Sequence, residues 1–245
     1  MEVSKQDSAR QTLVVFGATG TTGSHVLRQA LDGGISVRAA VRSPNKLPPN
    51  LVADQPQAKL GRNQNSSKQS LRESDRLEVA TVDVTDTNAV ARAIQGATMV
   101  FAALGYTGDP GRPVLLPFVQ AVVQAMREHG ARRFVYQASA FNSEPGQSNP
   151  VHIRYLLRPL VGSIVGAHPI WNEHDAVIRF LVEEVSDLEW TVTRPGMLSD
   201  GQSKGVLAVR ATPGGGVTNR DLATFSLNAV RTGDHARSCP YLGYP

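Results

Sequence analysis

Three glycines, Gly17, Gly20 and Gly23, stand at intervals of three inside VVFGATGTTGSHVL, residues 14–27. An apolar run stops at the first glycine, and an amphipathic segment follows the third. Backbone this bare, between a strand and a helix, suits close approach to phosphate. The first glycine permits a tight exit from the strand. The second lets the main chain approach a pyrophosphate, and the third lets helix and strand pack closely. A helix starting near Thr22 would aim its free N–H groups and positive dipole end at the anion. The hydroxyls of Thr19, Thr21 and Thr22 are candidate additional donors. The spacing G-x-x-G-x-x-G is one residue looser at its start than the dinucleotide fingerprint G-x-G-x-x-G, but its strand–turn–helix context is the one that fingerprint requires.

The next strand decides which dinucleotide. Sites for NAD place an acid at its end to hold the ribose 2′-hydroxyl, and a 2′-phosphate favours arginine there. This strand reads VRAAVRSPNKL, with Arg42 and Ser43 at its end and no acid; Arg38 and Lys46 add positive charge nearby. NADP(H) is therefore expected over NAD(H). Two further residues could do chemistry. Ser139, in QASAF, falls one residue into the loop after a predicted strand and could orient a ring and an acceptor by hydrogen bonding. His174, in WNEHD at a predicted helix start, could donate a proton near neutral pH. Tyr106, Phe141, His152, Tyr155 and Trp171 are candidate pocket residues, while His25 reads as structural. Cys239 is the single cysteine and no HExxH occurs, so neither a disulfide within the chain nor a metal site is expected.

The elements that must position these groups alternate. Strands are predicted at 13–16, 36–41, 77–82, 98–104, 133–138 and 188–193, with helices at 24–31, 87–95, 114–128, 176–184 and 220–230. Such alternation predicts a parallel sheet with right-handed crossovers. The expected fold is α/β, a single doubly wound Rossmann-like domain over residues 1–245, with substrate-side elements at 150–170 and 196–245. Pro44–Arg76, rich in Gln, Asn, Ser and Lys, reads as a flexible surface insertion. Thr218-x-x-Asp221 has the form of a capping box, and the closing YLGYP is expected to pack back on the domain.

The 245 residues carry a net charge of +4, with 19% charged and 41% hydrophobic residues. No basic stripe interleaves with aromatics, so no nucleic-acid partner is expected. No run of 18 apolar residues and no apolar leader occur, so neither a membrane partner nor a signal segment is expected. The expected compartment is the cytoplasm and the expected state a monomer or at most a weak dimer.

VVFGATGTTG, VRSPNKL, VDVTD, FAALG, FVYQASAF and LEWTVTRPGML together resemble the atypical short-chain dehydrogenase/reductase group of NAD(P)H-binding, NmrA-like proteins, nearest the flavin reductase/biliverdin-IXβ reductase type. The similarity covers nearly the whole chain except 44–76. It implies that Asp83 and Val84 flank an adenine, and that Ala103, Leu104 and Gly105 lie along ribose and pyrophosphate. It further implies that Ala138 and Ser139 reach the nicotinamide, with Pro195, Gly196 and Met197 bordering its carboxamide. The chain departs from its relatives in two ways. No tyrosine has a lysine four residues on: Pro110, Ala140, Pro159 and Pro245 stand there after Tyr106, Tyr136, Tyr155 and Tyr241. A histidine found in the reductase relatives after the last strand's proline is replaced by Met197. The resemblance implies an NADPH-dependent reductase of a small planar acceptor. The alternatives are a dinucleotide-sensing regulator without turnover, and a ketoreductase or isomerase of secondary metabolism.

Overall fold

Leu13, Val14, Val15 and Phe16 are all fully buried, because their strand has helices on both faces. The computed structural model describes residues 11–48, 76–105, 113–147, 159–160, 163 and 168–245. In it, β1 (Thr12–Phe16) lies inside an eight-stranded sheet. Val14 and Phe16 join the core on one face, Leu13 and Val15 the core on the other. That is the two-residue period of a strand buried on both sides.

Helix α1 (Thr21–Asp32) leads back to β2 (Ser36–Val41), which a short 3-10 turn, Pro44–Lys46, follows. Then come β3 (Leu77–Thr81), α2 (Thr87–Ile94), β4 (Met99–Ala102) and α3 (Leu115–His129). Next are β5 (Arg133–Gln137), α4 (His168–Glu184) and β6 (Glu189–Pro195). The chain continues through β7 (Leu198–Ser199), β8 (Ala208–Arg210), β9 (Val217–Thr218), α5 (Asn219–Thr232) and β10 (Tyr241–Gly243). The sheet order is β3-β2-β1-β4-β5-β6-β10-β8. Neighbours pair in parallel except β10 with β8, and β7 pairs with β9 in a separate ribbon. Helices α2, α3 and α4 cover one face, α1 and α5 the other. The order reverses between β1 and β4, which opens a crevice at the strands' carboxyl ends, where such sheets bind ligands. The doubly wound α/β fold expected from the sequence is the one observed.

Local chemistry sets the helix ends. Asp86 Oδ1 accepts from the N–H groups of Asn88 and Ala89, at 2.9 and 3.1 Å, and so starts α2. Gly130, with φ +79°, stops α3 in the left-handed conformation. At α5 the capping box is half made. Thr218 Oγ1 accepts from the Asp221 N–H at 3.1 Å. The Asp221 carboxylate turns instead to Ser203 Oγ, the Lys204 N–H and Tyr244 Oη, which donate at 2.5, 2.8 and 2.7 Å. Burial opposes ionisation there, but these hydrogen bonds outweigh it and hold the carboxyl at about 2.

Three expectations need correction. Helix α4 begins at His168, not Ala176, so WNEHD lies inside the helix. The tract from Pro44 is not surface from its start: the 3-10 turn is followed by buried Leu47, and residues 49–75 lie outside the described residues. Finally, YLGYP does more than pack back, since Tyr241–Gly243 form an interior strand between β6 and β8.

Candidate cofactor and substrate site

The carboxyl ends of β1, β2, β3 and β4 surround a cleft of about 410 Å³. Gly17, Thr19 and Gly20 form one wall, and Ala40–Arg42 with Val82–Thr85 form another. Ala103–Gly105 and Val114 close it. The glycines behave as their spacing requires. Gly17 has φ +83°, and a Cβ there would overlap the Ala103 carbonyl. A Cβ on Gly23 would overlap the Gly17 carbonyl, so Gly23 is what lets α1 pack on the turn. Gly20 is the N-cap of α1, in extended conformation, and no side chain caps that helix. An uncapped helix N-terminus behind bare backbone fits a pyrophosphate.

Of the residues expected at the cofactor, Gly17, Thr19, Gly20, Arg42, Asp83, Val84, Ala103, Leu104 and Gly105 line this one cleft. Thr21 is exposed at the start of α1. Thr22 is not a phosphate donor: it is buried, and its hydroxyl donates to Asn219 Oδ1 at 2.9 Å, which ties α1 to α5. Arg38 is likewise withdrawn. Its guanidinium meets Glu78 at 2.8 Å and donates to the carbonyls of Ala93 and Gln95 at the end of α2. Arg42 is exposed at the mouth, and the Ser43 side chain beside it does not cap its own 3-10 turn, whose Lys46 N–H donates to the Ser43 carbonyl at 3.1 Å. Asp83 accepts from the Thr85 N–H and hydroxyl, at 2.9 and 2.8 Å, which lower its pKa.

The sheet edge continues past the cleft to β5 and β6. Ala138 is buried there, and Ser139 is half-buried in the loop after β5. Ser139 Oγ accepts from the Phe141 N–H at 3.1 Å, and its own hydroxyl proton has no acceptor among the described residues. The Ala140 N–H donates to the Pro195 carbonyl at 2.8 Å, which joins this loop to the end of β6. Gly196 backs onto the carbonyls of Gly214 and Gly215, and Met197 beyond it is 82% exposed. Phe141 and Trp171 meet with ring centroids 4.7 Å apart. Tyr106, His152 and Tyr155 lie outside the described residues.

His174 is the main correction at the site. It is 6% exposed, and its Nδ1 lies 2.8 Å from the hydroxyl of fully buried Tyr136. Burial lowers its pKa to about 4, against a smaller opposing pull from Asp175. Buried and engaged by Tyr136, His174 belongs to the core rather than to a substrate surface, and its lowered pKa makes it a poor general acid near neutral pH. Its neighbours are equally structural. Glu173 Oε2 accepts from the N–H groups of Val114 and Leu115, both at 2.6 Å, and so caps α3 beside the cleft. Half-buried His25 is held below its usual range by burial and then by Arg220 and Arg28.

The sequence reading missed two residues here. Arg194 is 2% exposed; its Nε donates to the Cys239 carbonyl at 2.6 Å, and its guanidinium lies 3.7 Å from the Tyr241 ring centroid. Its Nη2 is 3.7 Å from Glu144. Asn142 is fully buried under Ser139. The only local sign of either was a polar residue within a structured motif. Cys239 is buried, and burial pushes its thiol up to about 12, so it is inert. Among the described residues no group of three or more His, Cys, Asp or Glu could hold a metal, and no helix is long and apolar enough to cross a membrane.

A doubly wound sheet with a glycine cradle and a cleft across its switch point defines a dinucleotide-binding protein. The chain belongs to the NAD(P)H-binding family, whose profile matches residues 49–232. That match begins after the glycine loop, so the loop is a separate line of support. An uncharacterized chloroplastic protein of Arabidopsis thaliana is 25% identical over 237 residues, covering 91% of this chain and 73% of its own. Dihydroflavonol 4-reductase of Zea mays is 30% identical over 151 residues, 57% of this chain. The match spans 38% of that reductase. The anaerobillin reductase ChuY of Escherichia coli O157:H7 shares the fold, with TM-score 0.67 and 19% identity over 96% of this chain and 98% of its own.

Proposed function

We propose that this protein is an NADPH-dependent reductase that passes a hydride to a small planar acceptor, such as a flavin, a quinone, a tetrapyrrole or a conjugated carbonyl. The observation that carries this reading is the placement of Ser139. Its hydroxyl, whose proton has no acceptor among the described residues, stands on the same sheet edge as the dinucleotide cleft, one strand beyond β4. The reductase relatives lend it further support. Arg42 and Ser43 would hold a 2′-phosphate, and Gly17, Gly20 and the α1 N-terminus the pyrophosphate. Asp83 and Val84 would flank the adenine, and Ala103–Gly105 the ribose. Ala138, Ser139, Pro195, Gly196 and Met197 would surround the nicotinamide. When bound, the reduced nicotinamide supplies the hydride. Ser139 would orient the acceptor by donating its hydroxyl proton, so the chain contributes alignment and exclusion of water more than acid catalysis. With His174 in the core, a flavin acceptor takes its proton from water.

The withdrawal of His174 and the missing Tyr-x-x-x-Lys pair also favour a second reading, a dinucleotide-sensing protein. A screen of NADPH oxidation with FMN, quinones and linear tetrapyrroles separates the two. Turnover with a primary isotope effect from C4-deuterated NADPH is expected, and the label stays in the product where a carbon atom accepts the hydride, since N–D and O–D of reduced flavins and quinones exchange with water. Tight NADPH binding with no turnover on any acceptor would favour the sensor.

A further inference from the structure

The polar residues of WNEHD look like site chemistry, but each described contact they make is to the scaffold around the site. Glu173 caps α3 and His174 meets Tyr136. Asp175 and the Trp171 carbonyl converge on Asn142. A buried primary amide must place two donors and an acceptor oxygen, and Asn142, 0% exposed, places all of them. Its Nδ2 donates to the Trp171 carbonyl at 2.8 Å and to Asp175 Oδ1 at 2.9 Å. Its Oδ1 accepts from the Ser139 N–H at 3.2 Å. The main chain adds to this: the Asn142 N–H donates to the Ser139 carbonyl at 3.0 Å, and the Asn142 carbonyl accepts from Arg194 Nη1 at 3.2 Å. Asp175 Oδ1 also accepts from the Ser143 N–H at 3.1 Å.

We propose that Asn142 is the positioning residue for Ser139, clamping its peptide groups between α4 and β6 so that its hydroxyl addresses one place on the sheet edge. This inference rests on the reductase reading for its catalytic consequence, though not for its structural one. With the Ser139 N–H and C=O bound to Asn142 and its Oγ to the Phe141 N–H, the serine keeps one free direction, that of its hydroxyl proton. Neither a carboxylate nor an aliphatic side chain can replace the amide. An aspartate would lose both donors and set a second carboxylate against Asp175. A leucine would leave the Ser139 N–H, the Trp171 carbonyl and Asp175 short of a partner.

The test exchanges the pair, using Asn142→Asp, Asp175→Asn and the double variant in the full chain. In the double variant donor and acceptor trade places, since an amide at 175 can donate to a carboxylate at 142. Two readouts are taken: hydrogen exchange of the Ser139 amide, and kcat for NADPH oxidation with the best acceptor. Asn142→Asp keeps an acceptor for the Ser139 N–H but loses both bonds that hold residue 142 on α4, and repulsion between the two carboxylates draws it away; exchange at Ser139 is expected to speed by about tenfold or more and kcat to fall by a similar factor, the scale of one hydrogen bond. The NADPH dissociation constant should change by no more than about threefold, because Asn142 does not line the cleft and only the Ser139 side of the nicotinamide is disturbed. The double variant regains the bond between 142 and 175 but not the donor to the Trp171 carbonyl, so it should recover both readouts in part, by about threefold or more over Asn142→Asp.

Unchanged exchange at Ser139 in Asn142→Asp would overturn the proposal. So would an equal fall in kcat when Asn142→Asp is placed in a Ser139→Ala background. If Asn142→Asp does not fold, Asp175→Ala serves: it removes the oxygen that accepts from Asn142 Nδ2 and the Ser143 N–H, so it must speed exchange at Ser139, and unchanged exchange refutes the clamp. If the unmodified protein oxidises NADPH with no acceptor, the reductase reading fails, while exchange at Ser139 still decides the role of Asn142.

Discussion

Arg42 stands exposed at the end of β2, where a carboxylate would mark NAD. On the proposed reading, Arg42→Ala weakens NADPH by about 1–3 kcal/mol, the worth of a charge-assisted hydrogen bond, and leaves NADH within a few-fold. Titration calorimetry with both cofactors checks this, and an equal loss for both would assign Arg42 no part in the choice. His174 makes a prediction about stability. In the folded protein burial lowers its pKa to about 4, whereas the unfolded imidazole titrates near 6.5. Between those values the unfolded chain binds more protons. Stability is therefore full above pH 6.5 and is lost as pH falls toward 4, by up to about 3 kcal/mol. Denaturant melts at several pH values should show that slope, and His174→Gln should flatten it.

At the scale of elements, the turn between β1 and α1 is the tightest part of the site. In Gly23→Ala the new methyl overlaps the Gly17 carbonyl, so α1 must move off its strand. The expected loss is about 2–4 kcal/mol, with NADPH affinity falling alongside, since the same movement displaces the helix N-terminus. Thermal melts and a binding titration on one preparation check both. This turn was legible in sequence because its demands are local: glycine spacing, an apolar run before it, helical periodicity after it. The buried strands were legible for a similar reason, since Leu13–Phe16 must be apolar to face helices on both sides. Helix α4 was misread at its start because its first turns carry Pro169 and the polar WNEHD, which resemble a loop. Glu173, His174 and Asp175 among them face inward to partners such as Tyr136, 38 positions from His174, and Val114, 59 from Glu173. Asn142 and Arg194 escaped notice on the same ground, and His174 was read as chemistry when its partner is the core. A period can report burial, but not which distant group a buried polar atom meets.

Over the whole molecule, the late segments complete what the early ones begin. Helix α5 braces α1 through Asn219 and Thr22, 197 positions apart. Strand β10 fills the slot between β6 and β8, and Tyr244 reaches back to Asp221 at the start of α5. Deleting residues 241–245 should therefore abolish cooperative unfolding rather than trim it, and calorimetry of the shortened chain checks this. A surviving sharp transition would mean that β6 tolerates an open side. The interior place of β10 also bears on how the chain reaches its native state. Such non-local pairing raises contact order and slows folding. Until residues 241–243 dock, β6 offers its unpaired amides and carbonyls to any neighbouring chain. Intermolecular strand exchange then competes with completion of the sheet, and the yield of refolding falls as protein concentration rises.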